Sequence, residues 1–501
     1  MQHDSTKRII IIGRFIGCKC KQINALQCYN EDRELMKIAV VSAEALPFSK
    51  TGGLADYVYS LSNTLSSMGH SVDVITPDYN ADGGTSVPNE QAETISLNGL
   101  VFNISAENVG SWRALKIRNP ELFGRPQMYG YEDDPVRFAH FSAASAKLIS
   151  GGNYEIAHCN DWQTGYVPLL LKQNRASVRS VFTIHNLEFQ GNYSPSLMDT
   201  IGIDHSYFFI DGIEFYGNVS SMKAGIVYSD ALVTVSPSYS REIQTPEYGF
   251  KMDGILRKES YKLRGVLNGI DYNMWNPATD TMIPSNYSRG DISGKSVCKS
   301  RVQREFSLPQ VRRPLIVSIG RLWRQKGIDL LLDALGEIED GFQLIVLGTG
   351  DEDLMKKIRD IASSTPGIRA VLRFDERLAH RLYAGGDIFV MPSRFEPCGL
   401  SQMISMRYGT VPVVRKTGGL ADSVSQFDQD TGEGEGFVFV DENHEQLADA
   451  LSEAISVYSS PELWRSVVGN CMGRDFSWEV SAKKYLEIYS SITSSQAPGG
   501  A

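Results

Sequence analysis

The chain has 501 residues, of which 42% are hydrophobic and 22% charged, and its formal net charge is −10 at pH 7. This length exceeds what one hydrophobic core usually serves, and the composition is that of a globular protein, so we expect two domains. The negative charge argues against a general nucleic-acid-binding or anionic-membrane-binding surface, and no apolar run reaches the ~20 residues that span a bilayer.

Residues 1–35 differ from the rest of the chain, because they are basic, poor in acids and hold three of the seven cysteines. Met36 then begins a segment that resembles a fresh protein start followed by a buried strand. We interpret residues 1–35 as an upstream extension or a disordered arm. A transit peptide is the alternative, although the segment has little Ser and no clear amphipathic face. We also expect the tail after about residue 490 to be disordered.

From residue 36 onward, short β-branched runs alternate with helical patterns, which is typical of a parallel α/β fold. The predicted strands form two series, at 37–42, 72–75, 155–158, 180–184 and 231–235, and at 314–319, 343–347, 370–373, 387–391, 411–414 and 437–440. The stretch 80–128 lacks clear periodicity and is predicted to hold short strands and loops, and the polar residues 272–300 form a plausible crossover. Two doubly wound sheets would leave a cleft between them, with ligands beyond the carboxyl ends of the strands.

One heptapeptide, Lys-Thr-Gly-Gly-Leu-Ala-Asp, occurs at 50–56 and again at 416–422, each time shortly after a β-branched run. A Gly-Gly turn between a strand and a helix leaves backbone N–H groups unpaired where the helix dipole favours anions. Two such turns, one in each half, would suit a phosphate and the group attached to it, and Lys50 could reach the phosphate at the first turn. Close packing at the glycines and a solvated lysine are the alternatives.

Charged side chains after two strands of the second series could bind a sugar diphosphate. Arg321 and Lys326 follow the strand 314–319 and are separated by a turn that could aim both at one diphosphate, whose negative charge grows as it leaves. Glu396 lies just ahead of a helix start, where it could bond sugar hydroxyls while the N–H groups of Gly399 and Leu400 receive a phosphate. A surface ion pair and a helix cap are the alternatives.

Two further residues follow strands of the first series. His185 comes directly after the strand 180–184 and could bond a hydroxyl or move a proton, and Asp161 occupies a comparable place after 155–158. A structural role is the alternative for both.

Several other patterns are weak. Gly348-Thr349-Gly350 lacks the third glycine of a dinucleotide fingerprint, so we reject NAD, and neither a Walker-type loop nor a G-x-S-x-G motif occurs. The D-x-D patterns at 351–353 and 428–430 are explained by helix capping and solvation. The cysteines lack a CxxC or Cys/His metal spacing, which predicts reduced intracellular thiols and no structural metal.

Taken together, these segments resemble the bacterial glycogen synthases and plant starch synthases of glycosyltransferase family 5, from Met36 to about residue 490. The combination is far more specific than any one of its motifs. They are K-x-G-G-L at 50–54, H-N-L-x-x-Q-G at 185–191, T-V-S-P-x-Y-x-R-E-I at 234–243, N-G-I-D at 268–271, W-N-P at 275–277, G-R-L-x-x-Q-K-G at 320–327 and S-R-F-E-P-C-G-L-x-Q at 393–402.

The resemblance implies an α/β fold of the GT-B type, with Rossmann-like domains at 36–265 and 266–478 facing a central cleft. Residues 479–501 would form a helix that crosses back to the first domain, followed by the tail. The implied activity is a retaining transfer of glucose from ADP-glucose to the non-reducing end of an α-1,4-glucan, without a metal or another cofactor. A UDP-glucose-dependent relative and a catalytically silent glucan-binding homologue are the alternatives. The implied location is the cytoplasm, with a plastid as the alternative, and no oligomeric state is indicated.

Carried over residue by residue, the resemblance makes Glu396, His185, Lys326 and Arg321 the catalytic residues. The implied substrate-binding residues are Lys50, Gly52, Gly53, Asp56, Asp161, Asn268, Phe374, Cys398, Gly399, Leu400, Ser401, Thr417, Gly418 and Gly419. In this scheme Arg321 and Lys326 hold the diphosphate, Glu396 binds the glucose, Phe374 stacks on the base, and the loop 417–419 closes on glucose. Because no carboxylate nucleophile can be named, front-face attack is favoured over the double displacement. Lys251-Met252 departs from the smaller pair usual in the family, and this bears on acceptor binding rather than donor chemistry.

Overall fold

The computed structural model describes residues 35–80, 93–338 and 341–494. The predictions for residues 1–34 and for the tail beyond residue 494 lie outside these ranges. None of the helices within them is both long and apolar enough to cross a membrane.

The first half of the chain builds a large mixed sheet and a small one. Its strands are β1 (Lys37–Val41), β2 (Ser71–Pro77), β3 (Glu93–Leu97), β4 (Leu100–Val109), β5 (Trp112–Arg118), β6 (Ile156–Asn160), β7 (Arg179–Ile184), β8 (Asn192–Tyr193), β9 (Glu214–Phe215), β10 (Asn218–Ser220), β11 (Ala231–Thr234) and β12 (Leu263–Gly265). The described strands of the large sheet are ordered β12-β11-β7-β6-β1-β2-β5-β4-β3, and those of the small sheet β8-β10-β9. From β12 to β5 all neighbours are parallel, which explains the buried β-branched runs.

Residues 93–118 form an antiparallel extension of the large sheet, with β3 pairing β4 and β4 pairing β5. The expectation of short strands and loops holds for β3, which has five residues, but β4 is longer, with ten residues. Along β4 only Phe102 and Ile104 are buried, so the strand offers too few apolar positions for a visible alternation.

Helices cover the faces of the large sheet. They are α1 (Gly53–Ser67), α2 (Pro120–Phe123), α3 (Asp134–Gly151), α4 (Tyr166–Gln173), α5 (Leu197–Ile201), α6 (Ser221–Tyr228), α7 (Pro237–Glu242) and α8 (Asp253–Lys258). The connection from β1 to its parallel neighbour β2 runs through α1, as a βαβ unit requires.

The second half builds a parallel sheet. Its strands are β13 (Leu315–Ile319), β14 (Gln343–Leu347), β15 (Ile368–Val371), β16 (Ile388–Met391), β17 (Val411–Arg415) and β18 (Phe437–Phe439). The described strands are ordered β15-β14-β13-β16-β17-β18. The helices are α9 (Ser293–Glu305), α10 (Ile328–Ala334), α11 (Glu352–Ser364), α12 (Glu376–Gly385), α13 (Ser401–Arg407), α14 (Gly418–Ser423), α15 (His444–Ser459), α16 (Pro461–Gly473) and α17 (Trp478–Thr493). Each strand of the two predicted series overlaps an observed strand, so the α/β prediction is confirmed.

The last helix, α17, packs against the first sheet rather than the second. Tyr485 and Tyr489 belong to the same apolar cluster as residues of β1 and α1, and the Tyr489 hydroxyl lies 2.7 Å from Nδ1 of His158 in β6. The Ile270 N–H donates to the Phe476 carbonyl oxygen at 2.8 Å. The chain therefore passes between the two sheets twice, and the two passages lie side by side. The domain boundaries after residues 265 and 478 stay predictions.

Candidate active site

A cavity of about 740 Å³ lies where loops at the carboxyl ends of β1, β6, β7, β13 and β16 meet. Both halves of the chain contribute to its wall. The predicted site residues that line it are Gly52, Gly53, Asp161, His185, Asn268, Arg321, Lys326, Glu396, Cys398, Gly399, Leu400 and Ser401. The predicted site residues that lie outside its lining are Lys50, Asp56, Phe374, Thr417, Gly418 and Gly419.

Glu396 and Lys326 form an ion pair in this cavity. Glu396 is 6% exposed, and its Oε2 accepts hydrogen bonds from Lys326 Nζ and from Ser393 Oγ, the latter at 3.1 Å. A buried carboxylate is costly unless it is paired and hydrogen-bonded, and both conditions hold here. The two groups were expected to contact different parts of one ligand, and the structure places them in direct contact with each other.

Arg321 spans the cleft between the two halves. Its Nη2 donates to the carbonyl oxygen of Thr51 at 3.3 Å, in the first Gly-Gly turn. A Cβ atom on Gly52 would lie only 3.2 Å from the same Nη2. The glycine therefore allows the guanidinium to approach the backbone of the opposite wall, and the second positive charge of the cavity lies at the boundary between the halves.

Asp161 and His185 are joined through the backbone. Asp161 has φ 56°, rare for a residue with a side chain, and its Oδ1 accepts from the His185 N–H at 2.7 Å. Burial raises the pKa of Asp161 to about 7 and lowers that of His185 to about 3. The His185 imidazole is therefore neutral near pH 7, and its Nε2–H donates to Asn160 Oδ1 at 3.0 Å. It can hydrogen-bond a ligand but brings no positive charge.

The first Gly-Gly turn already holds a carboxylate. Oε2 of Glu44 accepts from the N–H groups of Thr51 and Gly52 at 2.7 and 3.2 Å, and Oε1 accepts from the Tyr129 hydroxyl at 3.1 Å. The expectation of unpaired N–H groups was therefore wrong for Thr51 and Gly52, although no side chain among the described residues caps the first residues of α1 itself. Glu44 places a carboxylate on the cavity wall, next to the start of α1.

Lys50 is also engaged elsewhere. Its Nζ lies 2.7 Å from Oδ1 of Asp56, and the two side chains are 45% and 35% exposed. The structure therefore favours the surface alternative for Lys50, and its contact with a donor stays a prediction.

The second Gly-Gly turn is likewise occupied by a glutamate. The Gly418 N–H donates to Oε1 of Glu242 at 2.7 Å, and the Gly419 N–H donates to the carbonyl oxygen of Glu396 at 3.0 Å. Burial raises the pKa of Glu242. The expectation of unpaired N–H groups was wrong here too, because this turn supports the Glu396 loop from behind and links it to α7. Binding of glucose by Thr417, Gly418 and Gly419 stays a prediction.

The two heptapeptides differ in how tightly their second glycine is packed. A Cβ atom on Gly419 would lie 1.9 Å from the carbonyl oxygen of Cys398, whereas a Cβ atom on Gly53 would meet nothing within 4 Å. We expect Gly419→Ala to lower the free energy of unfolding by more than about 2 kcal/mol, and Gly53→Ala to change it by less than about 1 kcal/mol. Urea unfolding of both variants measures the difference. Equal losses would contradict this assignment of packing.

Three other predicted residues have distinct environments. Phe374 is 81% exposed and lies away from the cavity, so its stacking on a base stays a prediction. Cys398 is buried, and burial raises the pKa of its thiol to about 12, which leaves the thiol unreactive near pH 7. Asn268 is 8% exposed, and its Oδ1 has no hydrogen-bond partner among the residues that the structure describes. This buried acceptor needs a donor, and a ligand hydroxyl can supply one.

Glu44 and Glu242 were not predicted as site residues. Glu44 follows β1 by three residues, where a cleft residue is expected, so a local signal existed. Glu242 lies in the motif at 234–243, but nothing in its sequence neighbourhood indicates contact with a turn 176 residues away.

Comparisons with known proteins match most of the chain. A family model described as "Starch synthase catalytic domain" matches residues 37–258, and one described as "Glycosyl transferases group 1" matches residues 300–466. A glycogen synthase of Anaeromyxobacter sp. (strain Fw109-5) is 42% identical over 479 residues, covering 91% of this chain and 99% of that one. A glycogen synthase of Lacticaseibacillus casei (strain BL23) is 40% identical over 477 residues, with the same coverage of 91% and 99%.

A solved structure extends the likeness to three dimensions. The catalytic domain of Starch Synthase IV from Arabidopsis thaliana, bound to ADP and acarbose, is 35% identical, has a TM-score of 0.83, and is matched over 92% of this chain and 100% of that one. The two sheets facing one cavity are those of a GT-B fold, as expected. The chain belongs to the family of glycogen synthases and starch synthases.

Proposed function

We propose that the protein is a glucosyltransferase that moves glucose from ADP-glucose to the non-reducing end of an α-1,4-glucan, with retention of the anomeric configuration. The observation that carries the proposal is the Glu396–Lys326 ion pair, which shares the cavity with Arg321. Two cations suit a diphosphate, and a hydrogen-bonded carboxylate suits the hydroxyl groups of a sugar attached to it. This combination fits a sugar nucleotide better than a neutral sugar or a free phosphate.

The transfer breaks the bond between the anomeric carbon and the diphosphate oxygen and forms a bond to an acceptor hydroxyl. Negative charge accumulates on the leaving diphosphate, and Lys326 and Arg321 stabilise that charge. The N–H groups of Gly399 and Leu400 lie in the same wall and can donate to phosphate oxygens. We infer that these groups supply the positive charge for which other transferases use a metal, so no cofactor is required.

Retention follows from front-face attack in this proposal. The leaving diphosphate takes the proton of the acceptor hydroxyl on the face that it vacates, so no covalent glycosyl intermediate is needed. The neutral imidazole of His185 and the unpartnered Oδ1 of Asn268 are available to hold sugar hydroxyls in place. Glu396 then acts by binding and orienting the glucose instead of attacking it.

Transfer of labelled glucose to glycogen tests the proposal, with ADP-glucose and UDP-glucose supplied in parallel and a chelator present in place of added metal. We expect incorporation from ADP-glucose to be at least about tenfold faster than from UDP-glucose. An adenine nucleotide in the donor is supported by the solved structure of a starch synthase bound to ADP. Incorporation from UDP-glucose but not from ADP-glucose would show that the donor is UDP-glucose. A folded protein that transfers glucose from neither nucleotide sugar would refute the proposal. The cytoplasmic location stays a prediction.

A further inference from the structure

The second Gly-Gly turn is held by a residue from the first half of the chain. Glu242, the last residue of α7, accepts at Oε1 from the Gly418 N–H at 2.7 Å and from the Thr417 hydroxyl at 3.3 Å. Thr417 is 2% exposed, so this contact is buried. Glu242 itself does not line the candidate active site, and the proposed transfer does not use it.

This turn supports the main chain of Glu396. The Gly419 N–H donates to the Glu396 carbonyl oxygen at 3.0 Å, and a Cβ atom on Gly418 would lie 2.0 Å from the same oxygen. Gly418 has a φ of 42°, in the left-handed region that favours glycine. The carboxylate of Glu242, the turn and the carbonyl group of Glu396 therefore form one chain of contacts, and a shift of the turn would move Glu396.

The residues on either side of Glu396 also contact the first half. The Pro397 carbonyl oxygen accepts from Ser236 Oγ at 2.6 Å. The Phe395 ring packs against Tyr239 of α7, with 5.4 Å between the ring centroids. The first half therefore holds the loop that carries Glu396 on both sides of this residue, as well as from behind through the turn.

The carboxylate of Glu242 is not fully satisfied by these contacts. Its Oε2 is buried and has no hydrogen-bond partner among the residues that the structure describes. Burial raises the pKa of this group. A carboxylate oxygen that is buried and unpaired lowers the stability of the fold. Its presence here indicates a role other than stability.

We propose that Glu242 is a positioning residue for Glu396: by holding the second Gly-Gly turn, it fixes the carboxylate of Glu396 where the glucose of the donor binds. A binding group has to be held within about 0.5 Å of its productive position. This inference rests on the proposed function, because Glu396 is assigned there to the glucose. Arg321 and Lys326 bond other groups than Glu242, so its loss should weaken binding of the glucose and not of the diphosphate.

Binding of ADP-glucose and of ADP, measured by titration calorimetry without an acceptor, tests the inference in Glu242→Ala and Glu242→Gln. We expect the Kd for ADP-glucose to rise about tenfold in Glu242→Ala, while the Kd for ADP changes by less than about twofold. Transfer to glycogen should lose about tenfold in kcat, with little change in the KM for glycogen. Glu242→Gln keeps an oxygen acceptor for the Gly418 N–H, so its values should stay within about threefold of those of the wild-type protein.

Asp422→Ala is the matched control. Asp422 makes the same kind of contact between α14 and α7, because its carboxylate accepts from the Ser238 N–H at 2.6 Å and from the Ser238 hydroxyl at 2.8 Å. Its side chain bonds α7 and not the turn, so Asp422→Ala should keep the Kd for ADP-glucose within about threefold of the wild-type value. An equal loss in Asp422→Ala and Glu242→Ala would overturn the inference, because the loss would then reflect only the contact between the halves.

A wild-type Kd for ADP-glucose in Glu242→Ala would overturn the inference, as would an equal rise in the Kd for ADP and for ADP-glucose. Equal losses in Glu242→Ala and Glu242→Gln would also overturn it, because the hydrogen bond to the turn would not be their cause. Thermal unfolding checks that each variant is folded. If the wild-type protein transferred no glucose, yet lost affinity for ADP-glucose on Glu242→Ala, the proposed function would be refuted and the positioning of Glu396 would stand.

Discussion

Replacing Lys326 with alanine is expected to lower kcat with ADP-glucose by about a hundredfold or more. The ammonium of Lys326 lies against Glu396 in the cavity and, in our proposal, stabilises the charge that develops on the departing diphosphate. An interaction that strengthens in the transition state appears in kcat, and not only in KM. Affinity for ADP should fall as well, because ADP carries the same diphosphate.

The measurement is steady-state transfer to glycogen, together with the shift in melting temperature that ADP produces. Arg324→Ala is the matched control, since Arg324 is an exposed cation in the same short 3₁₀ turn as Lys326 and does not line the cavity. Lys326→Arg keeps the charge and should retain more activity than Lys326→Ala. A Lys326→Ala enzyme with unchanged turnover would remove Lys326 from the reaction.

Replacing Glu396 with alanine is expected to lower transfer by about a thousandfold while leaving ADP binding largely intact. Glu396 is assigned to the glucose, which ADP lacks, so the loss should separate from that of Lys326→Ala. Arg321 and Lys326, the two cations that we assign to the diphosphate, remain in this variant, and Lys326 loses only its ion-pair partner. The variant should therefore still melt at a higher temperature in the presence of ADP.

Glu442→Ala is the control for this experiment. Glu442 is an exposed glutamate that lies outside the cavity. It forms an ion pair with Arg394, which precedes Glu396 by two residues. If ADP raised the melting temperature of Glu396→Ala as little as that of Lys326→Ala, the two residues would act as one diphosphate-binding unit. If it kept wild-type transfer, the assignment of Glu396 to the sugar would be wrong.

Most of the fold could be predicted from the sequence, because parallel strands that are buried on both faces consist of continuous runs of β-branched and other apolar residues. The strand at Gln343–Leu347 is wholly buried and was predicted at the residues where it lies. The length of the strand at Leu100–Val109 was underestimated because one of its faces is exposed to solvent and the other has few apolar residues. The short pairings β8-β10-β9 were missed for a related reason, since two- and three-residue strands carry no period.

The site could be predicted in outline but not in its contacts. Residues such as His185 and Glu396 follow predicted strands, and parallel strands bring such positions to one edge. The partners of the Gly-Gly turns were not predictable in the same way. Two identical heptapeptides led to one expectation, but Glu44 reaches the first turn from nearby and Glu242 reaches the second from the other half of the chain. Local sequence determines the turn, whereas the fold determines what fills it.

The paired passages between the two sheets have a mechanical consequence. One runs through Ile270 and the other through Phe476, and a backbone hydrogen bond joins them. Gly269 lies so close to Trp478 that a Cβ atom would come within 2.7 Å of its Cα. Because this hydrogen bond and this close packing hold the two passages together, we expect them to bend as a pair and not to slide past each other. We therefore expect any opening of the cleft to be a single rotation about the two passages. That rotation would move Arg321 and Lys326 together, toward and away from the opposite wall. It would also return both side chains to the same positions each time the cleft closes.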